Sequence, residues 1–140
     1  MIGKNLEEKL KVLAIDSNRI SEIKNLVYKS FCEDEEKLEN KGFKEKQIIC
    51  LDQLVGMNRW DAHQFENWID VLNSLHKMKN FDIYTKSEFE YVIENPPSTD
   101  NIPQVISLNG EFYIDGEGKH RLTIAKCLGL EKARVDIKYL

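Results

Sequence analysis

The chain is short of the features that mark out whole classes of protein. Its three cysteines, Cys32, Cys50 and Cys127, are far apart and form no Cys-x-x-Cys pair, which argues against a disulfide framework or a structural zinc site. A reducing cytoplasm is the expected compartment, with these thiols as plain core or surface groups. No apolar run approaches the roughly 20 residues of a membrane-spanning helix, and no apolar signal core follows Met1-Ile2-Gly3-Lys4. No membrane partner is expected. Histidine is scarce, and neither His63 nor His76 has a second ligand at metal spacing. Positive charge is short as well. The net charge is −4, with −5 concentrated in residues 47–100 and only +1 in residues 101–140. A face that tracks duplex DNA needs a basic stripe, and none is visible. Internal repeats and low-complexity segments are also missing.

What is present fits one compact domain of 140 residues with a helical extension. Asn5 can cap a first helix carrying Leu6, Leu10, Leu13 and Ala14. Asp16-Ser17-Asn18 interrupts it, and a second helix presents Ile20, Ile23, Leu26, Val27 and Phe31 on one face. The charged tract from Cys32 to Lys37 reads as a solvated helix face. Residues 1–46 are therefore expected to form a helical N-terminal extension, and residues 47–140 the main domain. Within the latter, Gln47–Leu51 suits a buried strand. Asp61 and Gln64 resemble a capping box opening a helix with Trp60, Phe65, Trp68, Ile69, Leu72 and Leu75 on its apolar stripe. Thr85 and Glu88 open a shorter helix with Phe89, Val92 and Ile93, ended by Pro96-Pro97. Asn109-Gly110 between Val105–Leu108 and Glu111–Ile114 predicts a type I′ hairpin. A helix over 120–128 stops at Gly129, and Ala133, Val135 and Ile137 alternate as a closing strand. The expected fold class is α+β, a small mixed sheet with packed helices.

The most informative segment joins that hairpin to that helix: Ile114-Asp115-Gly116-Glu117-Gly118-Lys119-His120-Arg121-Leu122-Thr123. A helix N-terminus has unpaired N–H groups and partial positive charge, so it attracts anions. Cations in its first turn are unfavourable unless an anion offsets them. Gly116 and Gly118 permit positive φ or close approach of a ligand. Lys119, His120 and Arg121 supply donors, and Thr123 a hydroxyl if its side chain faces the loop.

The order Ile114-Asp115-Gly116, Gly118-Lys119-His120-Arg121, Ala125-Lys126 and Leu128-Gly129 resembles the ParB/sulfiredoxin-like family, which includes ParB-like nuclease domains of bacterial and phage proteins. The resemblance is confined mainly to residues 105–137. It implies a phosphate-binding loop made by Gly116, Gly118, Lys119, His120, Arg121 and Thr123, with a nucleoside triphosphate as ligand. Sulfiredoxin carries its catalytic cysteine where this chain has Lys119. An ammonium cannot replace that thiolate, and Cys127 lies two turns further along, so sulfiredoxin reductase activity is not expected.

Two functions follow from the resemblance. One is NTP hydrolysis or phosphodiester cleavage, with Asp115, Glu117 and His120 as candidate catalytic residues. Arg121 would clamp phosphate with two parallel bonds, and Asp115 or Glu117 could hold Mg²⁺ through water. Against this, Asp before glycine is common as a simple turn former. The other is a non-enzymatic adaptor that keeps the phosphate loop and meets a protein partner through its N-terminal helices.

Overall fold

The computed structural model describes residues 6–31, 43–58, 62–75, 86–95, 102–115 and 118–139. Helices α1 (Leu6–Val12) and α2 (Ser17–Asn25) lead into a short strand, β1 (Lys29–Phe31). Strand β2 (Phe43–Cys50) passes through a 3₁₀ turn, Leu51–Gln53, directly into β3 (Leu54–Asn58). A second 3₁₀ turn, Ala62–Gln64, precedes α3 (Trp68–Ser74), and α4 (Lys86–Glu94) comes next. Strands β4 (Gln104–Leu108) and β5 (Glu111–Ile114), helix α5 (Lys119–Cys127) and strand β6 (Lys132–Tyr139) follow. The fold is α+β.

All six strands form one mixed sheet in the order β1-β3-β5-β4-β6-β2. The β4–β5 and β2–β6 pairs are antiparallel; β1–β3, β3–β5 and β4–β6 are parallel. Asn109 (φ 54°) and Gly110 (φ 82°) close the expected hairpin with positive φ at both central positions, as a type I′ turn requires. The register sets Met57, Ile114, Val105 and Ile137 side by side across four strands. That row is buried and joins the core with Ile23, Trp68, Leu72, Phe89, Ile93, Leu122 and Ile124 from the helices. The next row in register, Gly56, Tyr113, Ile106 and Lys138, lies on the opposite face because successive strand side chains alternate.

Helix α5 runs through the centre of the helical layer, with every residue from Leu122 to Cys127 buried. It ends in a Schellman arrangement: Leu130 N–H donates to the Ala125 carbonyl (3.1 Å) and Gly129 N–H to the Lys126 carbonyl (3.1 Å), with Gly129 at φ 77°. Burial of helix ends leaves last-turn carbonyls needing partners. Cations from elsewhere in the chain supply them. Arg19 of α2 donates from Nε to the Cys127 carbonyl and from Nη2 to the Lys126 carbonyl, both at 2.9 Å. Lys9 of α1 donates to the Asn73 carbonyl near the end of α3, and Arg134 of β6 to the Glu94 carbonyl of α4 (2.9 Å). Positive charge at the negative end of a helix adds to each contact.

Several local expectations change. The second helix ends at Asn25 instead of running to Phe31, and residues 29–31 form a strand. With β2 beginning at Phe43, the first 46 residues are not helical throughout. Helices α1 and α2 pack on the domain: Ile23 of α2 and Ile15 between the two helices belong to the core, and Leu6, Leu10 and Leu13 pack against it. The helix expected from residue 61 starts at Trp68. Its N-cap is Asn67, whose side chain accepts from Asp70 N–H (3.1 Å), while the Asp70 carboxylate accepts from Glu66 N–H (3.0 Å). Strand β3 was not expected. It pairs with β1 at Gly56, where any Cβ would sit 1.8 Å from the Lys29 carbonyl oxygen. Asp61, His76 and Thr85 lie outside the described residues.

Candidate functional site

Strand β5 delivers the chain to the helix junction at Asp115, whose N–H donates to the Gln104 carbonyl (2.8 Å). Three residues later Gly118 stands at φ 101°, a conformation natural to glycine. A Cβ at this position would lie 2.4 Å from the Cβ of Pro103, so the joint also requires glycine for packing. Both ends of the connection are thus pinned. Gly116 and Glu117, between them, lie outside the described residues.

Helix α5 starts without a side-chain cap and without an acidic residue in its first turn. That turn holds Lys119, His120 and Arg121, each partly buried and each engaged with other parts of the protein. Lys119 lays its ammonium over the Phe65 ring, 5.3 Å from the centroid. Lys9, buried and bonded to Asn73, has its pKa lowered by burial and then by the charge of Lys119. Lys119 thus adds its charge to the partial positive charge of the α5 N-terminus and repels Lys9.

Thr123 adds a second anomaly. It is fully buried, and its Oγ1 has no hydrogen-bond partner among the described residues. A helical threonine commonly bonds the carbonyl four residues back. This one does not.

Asp115 is placed differently from the cations. By strand alternation it lies on the opposite face of the sheet from Ile114, and its carboxylate accepts from Asn58 Nδ2 (3.2 Å) and faces Lys138 Nζ at 3.9 Å. The structure thus brings Gly118, Lys119, His120 and Arg121 together, sets Thr123 one turn behind, and holds Asp115 among partners of its own. Sequence reasoning missed Asn58, Lys138, Lys9, Phe65 and Pro103. No local signal marks them, since each reaches the junction from a distant segment.

No group of three His, Cys, Asp or Glu side chains among the described residues is arranged to hold a metal ion. No helix among them is long and apolar enough to cross a membrane. Comparison with protein-family models, curated proteins and solved structures found no match to this chain. Function must be inferred from its own geometry.

Further along α5 lies a buried cation. Lys126 is 6% exposed, donates to the Leu51 carbonyl (2.8 Å) and sits 5.5 Å from the Trp68 ring centroid. Burial pushes its pKa down from 10.5 to about 8, with Asp52 opposing the shift and Arg19 adding to it. Above pH 8 the folded amine releases its proton while the unfolded one keeps it up to about 10.5, so folding stability should rise across that window. The gain is at most about 3 kcal/mol. Urea denaturation at stepped pH should show this rise in the wild type and not in Lys126→Met. Parallel curves for the two proteins would contradict it. The neighbouring Cys127 thiol is pushed up to about 12 by burial, which leaves it unreactive.

Proposed function

We propose that this chain is a ParB/sulfiredoxin-like domain that binds the phosphate of a nucleotide or phosphodiester at the N-terminus of α5. The observation that carries this reading is the composition of the first turn, uncapped and without an acid while holding Lys119, His120 and Arg121. A cation in such a turn opposes the helix dipole by about 0.3–1 kcal/mol. A bound phosphate reverses that sign. The buried, unpartnered Thr123 hydroxyl supports it, as does the pressure that Lys119 exerts on Lys9.

In this mode the α5 N–H groups donate to the phosphate oxygens, the Arg121 guanidinium clamps the phosphate and Lys119 contributes a point charge. Mg²⁺ would arrive with a nucleoside triphosphate, held by the phosphates themselves. Asp115 is already shared between Asn58 and Lys138, which fits it for anchoring better than for binding a metal. Turnover by NTP hydrolysis or phosphodiester cleavage would draw on His120 for proton transfer and on Glu117.

A thermal-shift series with ATP, CTP, GTP and ADP, with and without Mg²⁺, tests the binding, because a ligand of the folded state raises stability with concentration. Arg121→Ala should weaken phosphate binding by about 1.5–3 kcal/mol, the range for a hydrogen bond to a charged group, with the fold intact. Arg121→Lys should recover only part of it. Equal affinity of wild type and Arg121→Ala in low-salt calorimetry would remove the assignment. Phosphate release or cleavage of single-stranded DNA by the same preparation separates an enzyme from an adaptor.

A further inference from the structure

The edges of a sheet carry unpaired backbone groups and are protected by short length, charge or bulges. The β1 edge is only three residues long. Strand β2, at the opposite edge, has eight residues and, among the described residues, pairs on one side only, with β6. Its first half holds the protective devices, a lysine–glutamate–lysine run at 44–46 and a break in register between Lys44 and Gln47. The half from Gln47 to Cys50 has no charge, proline or bulge. One step beyond the Cys50–Lys132 pair, Leu51 N–H donates to the Glu131 carbonyl (2.8 Å). Bonded and non-bonded pairs alternate in an antiparallel ladder, so Ile48 and Cys50 direct their own N–H and C=O groups to the free edge. Both side chains are exposed, Ile48 by 44%.

We propose that the β2 edge is a homodimer interface, at which a second copy of the chain adds its own β2 antiparallel about a two-fold axis at Ile49. Nothing in it depends on the phosphate site. Antiparallel pairing of identical strands satisfies a two-fold axis, the commonest symmetry of soluble oligomers. Charge and polarity select the register. An axis at residue 46 sets lysine against lysine, which is repulsive. At residue 47 it sets Ile48 against Lys46, at 48 Cys50 against Lys46, and at 50 Ile48 against the exposed Asp52. Only at Ile49 does each exposed apolar side chain meet another, Ile48 against Cys50 twice over, while Lys46 comes opposite Asp52. Arg134, opposite Ile48 in the β6 ladder, donates to the Glu94 carbonyl of α4. Tyr91, 68% exposed and one turn earlier on that helix, widens the apolar margin on this side. One strand pair is a small interface, so the dimer should exchange with monomer in the micromolar range.

Sedimentation velocity on the full chain, from low to high micromolar concentration, should show monomer passing into dimer. Ile48→Lys, a charge set into the apolar pair, should raise the dissociation constant about tenfold. The thermal midpoint, measured in parallel, should change little because residue 48 is exposed. Disulfide trapping tests the register, with Cys32 replaced by serine throughout. A chain carrying Ile48→Cys and Cys50→Ser is mixed with the chain that keeps Cys50, and the mixture is oxidised with copper phenanthroline. Mixed dimers should form several times faster than cross-links in either chain alone. The two Cα atoms of a hydrogen-bonded pair lie about 5.5 Å apart, within disulfide range. A chain that stays monomeric at every concentration overturns the proposal and leaves the edge to an extended segment of another protein. A dimer indifferent to Ile48→Lys, with no preference for mixed cross-links, overturns it equally, because the contact then lies elsewhere.

Discussion

Trp68→Ala should destabilise the fold by about 3–5 kcal/mol, the range for truncating a large buried aromatic. Trp68 is fully buried, its indole N–H donates to the Val27 carbonyl (2.9 Å), and its ring makes an edge contact with Tyr28 at 5.4 Å. It also underlies the Lys126 ammonium. Truncation would open a cavity, orphan a carbonyl and remove the aromatic face from a buried cation. Against a total stability of about 5–15 kcal/mol, that is a large fraction. The midpoint of urea denaturation should fall sharply. A variant with the wild-type midpoint would show that the α2–α3–α5 contact is not the organising centre of the core.

Gly118→Ala should come next in size, with a double consequence. The φ of 101° is strained for an L-residue, by about 1–2 kcal/mol in the left-handed region. In addition the new Cβ would meet Pro103 at 2.4 Å, from its Cβ, and at 2.8 Å, from its Cα. The latter is backbone and cannot swing aside. Relief requires α5 to withdraw from the β4 entry, which misaligns its first N–H groups. Both the denaturation midpoint and pyrophosphate affinity should drop, whereas Arg121→Ala lowers affinity alone. Gly118→Ala with unchanged stability would mean that the junction is looser than its contacts imply.

The sequence revealed elements whose signals are local. Asn109-Gly110 announced the hairpin, Gly129 the end of α5, and Phe89 with Ile93 the buried side of α4. Hidden elements depended on distant partners. Strand β3 has a glycine at its centre, normally a weakening residue, and that glycine makes sense only because the Lys29 carbonyl approaches it. Strand β1 is three residues long and follows a helical pattern without a break. The start of α3 was legible in Asn67 and Asp70, but the Asp61–Gln64 pattern competed with it. At the junction, the cations were visible as a cluster in one turn. The restraint on Asp115 was not, since Asn58 and Lys138 belong to other strands.

The grip of Arg19 on α5 sets a timetable for synthesis. Its partners, the Lys126 and Cys127 carbonyls, lie 107 and 108 residues downstream. At about 5–20 residues per second, α2 is synthesised roughly 5–20 seconds before the end of α5. During that interval the Ile15 and Ile23 side chains have no finished core to enter. Nascent chains arrested before α5 should therefore be held by chaperones or lost to proteases, and the fold should appear only once α5 and β6 have been made.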